Sequence, residues 1–255
     1  MDIRLDGRVA IVTGGGSGLG LGFARSLSAS GAAVAVTGRR REPLDAFVAE
    51  VTAAGGEAMA VPCDVRSRKE VEACVKAVGD WKGSTDILVN NAGVYPPCAF
   101  MDITDEQWSD VMDTNVNGPF RFSQLCGKQM VDSGWGRIIN IVSPSASLGF
   151  SFINAYGTSK GALGSMTRNL AVELGGTGVT VNAIVPGVSA TETFVGSFTQ
   201  IGVDLLANAL PVGRACTDDD LEGVIVFLAS ESSRYLTGTT IFVDGGMTCT
   251  FPMGG

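Results

Sequence analysis

Seven short apolar runs punctuate the chain: "RVAIVT" (8–13), "AAVAVTG" (32–38), "EAMAVPCD" (57–64), "DILVNNAG" (86–93), "GRIINIVS" (136–143), "VTVNAIVPG" (179–187) and "TTIFVDGG" (239–246). Each is rich in Val, Ile or Ala, and the longer stretches between them are amphipathic. That rhythm predicts strands alternating with helices over Leu19–Ser30, Pro43–Ala54, Ser67–Trp81, Asp105–Val131, Asn154–Leu174 and Asp218–Ala229, the last capped by Thr217. Strand–helix–strand units cross over right-handedly, so the expected architecture is α/β: a three-layer, doubly wound sandwich around a seven-stranded parallel sheet. No repeat, low-complexity tract or Pro/Ser-rich linker interrupts residues 1–255, which read as a single domain.

One handover from strand to helix is unusual. "TGGGSGLGLG" (13–22) holds six glycines in ten positions, directly after the first predicted strand. Gly14 allows a tight turn, Gly18 lets backbone come close to a pyrophosphate, and Gly20 lets the next helix pack against the sheet. The amides at that helix's N-terminus then face the phosphates. The missing side chains make room for a dinucleotide.

Composition narrows the chemistry. With 255 residues and 45% hydrophobic content, the chain can bury one substantial core. A net charge of −8 argues against nucleic acid as a partner, since a phosphate-backbone binder needs a basic face. The six cysteines are scattered without a Cys-x-x-Cys pair, and they read as buried thiols of a reducing, cytoplasmic setting. The amino terminus has no leader pattern and no apolar run suggests a membrane span. Histidine is absent altogether, which excludes Ser-His-Asp catalysis and His-ligated zinc, and no metal site is expected. Proton transfer falls to other residues.

The spacing Gly14-x-x-x-Gly18-x-Gly20 after Thr13 resembles the short-chain dehydrogenase/reductase family, in its single-domain branch. Further matches run along the chain: "NNAG" (90–93), Asn115, Ser143, "YGTSK" (156–160) with Tyr156 and Lys160, "PGVSAT" (186–191) and "VDGG" (243–246). The resemblance implies a Rossmann-like fold, a nicotinamide cofactor and a homotetramer built on the long helices around the fifth strand and on the last strand. Tyr156 and Lys160, four apart, share one helical face, and an ammonium near a phenol favours the phenolate. Tyr156 is thus the expected general acid for carbonyl reduction, and Ser143, with Ser145 as its rival, the group that orients the substrate oxygen. By the resemblance, Lys160 also bonds the nicotinamide ribose and Asn115 holds a relay water, with Asn117 its rival.

Cofactor choice is expected at the end of the second strand, where a carboxylate would select NAD. Gly38 stands there instead, followed by Arg39, Arg40 and Arg41, so NADP(H) is expected, with Arg39 as the phosphate clamp and NAD(H) not excluded. The resemblance places Asp64 against adenine. It extends the cofactor site to Ser17, Leu19, Val65, Asn91, Ala92, Gly93, Pro186, Gly187, Val188 and Thr191. The segment Thr191–Val212 falls where the family keeps its substrate lid and carries Phe194, Phe198, Ile201, Leu205 and Leu206. With Tyr95, Phe150 and Phe152 in loops after strands four and five, it points to an apolar or aromatic ketone. The alternatives are a 3-oxoacyl-thioester reductase and a non-catalytic dinucleotide sensor. Apolar positions in the predicted helices (Ala155, Ala162, Leu163, Met166, Leu170) and a tail with Phe251 and Met253 are expected at subunit contacts.

Overall fold

The computed structural model describes residues 3–189 and 202–250. Its strands are β1 (Val9–Thr13), β2 (Ala33–Gly38), β3 (Ala58–Pro62), β4 (Ile87–Asn90), β5 (Gly136–Ile141), β6 (Val179–Pro186) and β7 (Thr240–Val243). They form one parallel sheet in the order β3-β2-β1-β4-β5-β6-β7. Buried on both faces, β1 and β4 are near-continuous apolar runs, while β6 places buried Thr180 and Asn182 among its apolar residues.

Alternate residues still go to opposite layers. Ala10 and Val12 join Phe23 and Leu27 of α1 (Gly18–Ala29), Leu44 and Phe47 of α2 (Arg41–Ala53) and Ile225 of the last helix in one core. Val9 and Ile11 join Val71 and Val75 of α3 (Arg68–Lys82), with Phe122 and Met130 of α5 (Gly118–Ser133), in the other. A long α6 (Asn154–Glu173) and a shorter α4 (Asp105–Met112) complete the second layer, and α7 (Asp219–Ala229) completes the first.

The single helix expected over Asp105–Val131 is in fact α4, a five-residue π turn (Asp113–Asn117) and α5. Pro119 has no N–H to give the carbonyl of Asn115 four residues back, so the ordinary ladder cannot run through this point. Thr217 does not cap the last helix. It donates through N and Oγ1 to Asp220 Oδ2 (2.9 and 3.0 Å), and Asp218 takes the cap position without a side-chain bond.

The sheet order reverses between β1 and β4, and open α/β sheets bind ligands outside the carboxyl ends of the strands at such a point. Thr13 Oγ1 fastens this crevice: it accepts from the amides of Asn91 and Ala92 (both 3.0 Å) and donates to Val89 O. The glycine-rich turn and the turn after β4 are thereby one unit.

Candidate active site

A cleft of about 870 Å³ opens along the carboxyl ends of the strands and runs from the glycine-rich turn to Tyr156. Gly14 has φ +65° and Gly18 φ +52°, left-handed values that disfavour other residues. A Cβ on Gly20 would stand 2.2 Å from the carbonyl oxygen of Gly14, so only glycine lets α1 begin this close to the turn. Ser17 caps α1 without a side-chain hydrogen bond and no acid occupies the first turn, so the leading amides face the cleft unscreened. These features fit a pyrophosphate.

Ser17, Leu19, Val65, Asn91, Ala92, Gly93, Pro186, Gly187 and Val188 all border the cleft; Gly20 and Asn115 stand behind its wall, and Thr191 lies outside the described residues. Asn91 spends its side-chain amide on the carbonyls of Thr13 and Gly14 (3.0 and 3.4 Å), which makes it a brace for the turn. At the far end of the turn Arg39 and Arg40 are exposed to the cleft; neither guanidinium forms a hydrogen bond or ion pair among the described residues, though the Arg39 charge helps lower the pKa of Asp64. Arg41 differs: it pairs with Asp45 at 3.0 Å. Asp64 also borders the cleft, but its carboxylate is gripped by Arg66, which holds it below the usual carboxylate range. Arg66, which sequence reasoning passed over, lines the cleft itself and pairs with Asp110 as well.

Tyr156 and Lys160, on the first turns of α6, meet Ser143 at the end of β5. The phenol does not respond to the ammonium in the way their helical spacing suggests. Burial raises the Tyr156 pKa above its ordinary value, and the hydrogen bond with Ser143 acts against that rise. Lys160 runs past the ring, its Nζ 5.6 Å from the ring centre, and donates to the carbonyl of Ile141 at 2.8 Å. Its own burial lowers its pKa to about 8. Ser145 donates to Ser143 Oγ at 2.9 Å, which leaves Ser143 as the hydroxyl beside Tyr156. Asn115 is fully buried and pairs with both backbone groups of Val94, whereas Asn117 is exposed and bonds Asp113.

Apolar side chains wall the catalytic end: Val94, Tyr95, Pro144, Phe150, Ile153, Leu206 and Met247. Phe152 is not among them; it sits at φ +67° and is exposed, and its carbonyl accepts from Cys98 N at 2.7 Å. Leu205 also turns outward, on a helical segment over 202–208. Phe194, Phe198, Ile201, Phe251 and Met253 lie outside the described residues. Of the cysteines, Cys63, Cys74 and Cys126 are buried, Cys98 and Cys216 partly so, and Cys249 is exposed, so burial does not hold for all six.

A strand-switch crevice with a glycine cradle at one end and a Tyr–Lys–Ser group at the other defines a dinucleotide-dependent oxidoreductase. Comparison with known proteins agrees. A family model described as enoyl-(acyl carrier protein) reductase matches residues 14–248. The short-chain reductase protein NovJ of Streptomyces niveus is 40% identical over 93% of both chains. D-threitol dehydrogenase of Mycolicibacterium smegmatis is 34% identical, covering 97% of this chain and 95% of its own. The solved gluconate 5-dehydrogenase of Burkholderia cenocepacia, in complex with NADP and tartrate, superposes with a TM-score of 0.93 at 33% identity over 98% of each chain. The chain belongs to the short-chain dehydrogenase/reductase family and is an NAD(P)-dependent oxidoreductase.

Proposed function

We propose that the protein interconverts a ketone and a secondary alcohol, preferring NADP(H), and that its substrate is apolar or aromatic. The observation that carries this reading is the continuity of one cleft, with the exposed Arg39 and Arg40 at one end and Tyr156 and Ser143 within apolar walls at the other. A bound nicotinamide cofactor supplies the hydride and, once oxidised, a positive charge. Arg39, helped by Arg40, grips a 2′-phosphate through paired N–H donors, a contact that a bare ribose hydroxyl cannot use.

Ser143 holds the carbonyl oxygen of the substrate, and Tyr156, kept protonated by burial, gives its proton to that oxygen as the alcohol forms. Lys160 bonds the cofactor ribose and returns a proton to Tyr156. Asn115, whose carbonyl is relieved of its ordinary helical partner by Pro119, holds the water that connects Lys160 to solvent. The names of the threitol and gluconate relatives support alcohol–ketone exchange, while the walls here favour a less polar substrate.

A panel of aryl, aliphatic and polyhydroxylated ketones, run with NADPH and NADH and followed by nicotinamide absorbance, tests the reading. Turnover of aryl or medium-chain ketones with NADPH preferred is expected. Tight NADPH binding without turnover of any ketone would contradict it and favour a sensor.

A further inference from the structure

Two tyrosines meet at the catalytic end of the cleft, and the reaction proposed above uses only one of them. The rings of Tyr95 and Tyr156 lie edge to face, 5.0 Å between centroids at 75°. Both also line the cleft. Their backbones are tied to a single amide. Val94 N donates to Asn115 Oδ1 at 2.8 Å and Asn115 Nδ2 donates to Val94 O at 2.9 Å, which fixes the peptide next to Tyr95. The same Nδ2 donates to Ser159 Oγ at 3.0 Å, and Ser159 Oγ donates to the carbonyl of Tyr156 at 2.7 Å. An amide buried from solvent thus holds the register of two ring-bearing segments that are 61 residues apart in sequence.

We infer that Tyr95 is a positioning residue for Tyr156: its ring edge blocks rotation of the Tyr156 ring and keeps the phenol beside Ser143. The inference rests on the reduction chemistry proposed above, in which the Tyr156 hydroxyl must meet a substrate oxygen held by Ser143. Lys160 Nζ stands 5.6 Å from the same ring's centre but is committed to Ile141 O at 2.8 Å, so the closer ring contact is the one with Tyr95. Edge-to-face aromatic pairs prefer this centroid spacing over a face-to-face stack. An aliphatic side chain of similar bulk fills the space without the directional contact. Tyr95 belongs to the proton donor's support rather than to proton transfer itself.

The test uses Tyr95→Phe, which keeps the ring, and Tyr95→Leu, which removes it. Misplacement of a reacting group by about 1 Å costs about a hundredfold in rate, so Tyr95→Leu should lower kcat for the best ketone by about tenfold or more. NADPH affinity and the unfolding temperature should stay near wild type, and Tyr95→Phe should restore kcat to within about threefold, as retained ring geometry requires. A second readout is independent of turnover. The chain has three tyrosines, and the third, Tyr235, is fully exposed, so ring-labelled tyrosine gives few NMR signals and a built-in reference. The Tyr156 ring should flip faster in Tyr95→Leu, read from the averaging of its paired ring signals, and at the wild-type rate in Tyr95→Phe. An unchanged Tyr156 ring-flip rate in Tyr95→Leu overturns the inference whether or not any ketone is reduced. So does a kcat loss matched by equal losses in cofactor affinity and stability, or a Phe variant as impaired as the Leu variant. Absence of turnover in wild type, by contrast, counts against the reduction chemistry and leaves the ring contact to the NMR readout.

Discussion

Lys160 is an amine buried to 4% exposure, with its Nζ against the carbonyl of Ile141, and desolvation brings its pKa down to about 8. Below that value the ammonium is present and stands ready to reprotonate Tyr156; as pH rises through it, the proton is lost. The kcat/KM for ketone reduction should therefore hold steady near neutrality and fall as pH climbs through about 8. A profile that stays flat well into the alkaline range contradicts Lys160 as proton carrier. At the other end of the cleft, Arg39→Ala should weaken NADPH by about 1.5–3 kcal/mol, the scale of a hydrogen bond to a charged group, and leave NADH little changed. Equilibrium binding of both cofactors checks this, and equal weakening would make Arg39 structural. Helical spacing paired Tyr156 with Lys160, and the family resemblance added Ser143 and the place of Arg39; all four border one cleft. Neither spacing nor resemblance revealed which way Lys160 points, because its partner, Ile141 O, belongs to a strand 19 residues earlier.

At the scale of elements, the π turn between α4 and α5 has the most direct bearing on the site. Its five residues, "DTNVN", carry apolar and polar positions that blend into the helical periodicity on either side, so pattern alone reads one helix. The one local signal was Pro119, which denies the Asn115 carbonyl an N–H; the other cause, the pairing of Asn115 with Val94, is tertiary. Asn115→Leu removes the partner of both Val94 backbone groups. Because each buried polar group left unpaired costs about 1–3 kcal/mol, urea unfolding should show a loss of at least that size. A variant as stable as wild type would show that the clamp carries no weight. The start of α7 was misread for a related reason: Thr217 looks like a cap, but the carboxylate of Asp220, itself paired with Arg214, draws the threonine donors to it. By contrast the strands and the glycine-rich turn were legible, since buried parallel strands need apolar runs and the cradle needs absent side chains.

For the whole molecule, alternating strands and helices together with right-handed crossovers fix the layers, and the reversal of strand order between β1 and β4 then locates the cleft. What covers the outer surface was less legible. Ala155 and Leu163, assigned to subunit contacts from their helical positions, are buried within their own chain. Other apolar side chains on the same elements stay open instead: Phe120 and Val131 on α5, Val172 on α6 and Phe242 on β7, the last 46% exposed. The homotetramer that the family resemblance implies would cover such side chains, and with it light scattering should give four times the chain mass of 26.3 kDa. A monomer in solution contradicts it. In the function proposed above, this one cleft brings cofactor and ketone together around a protonated Tyr156. Single-turnover reduction of the best ketone by NADPH, wild type against Tyr156→Phe, tests it most directly. Removing a general acid costs about 10²–10⁴-fold, so the hydride-transfer rate should fall by that factor while NADPH binds as before. Hydride transfer at near wild-type rate in the Phe variant would contradict the claim.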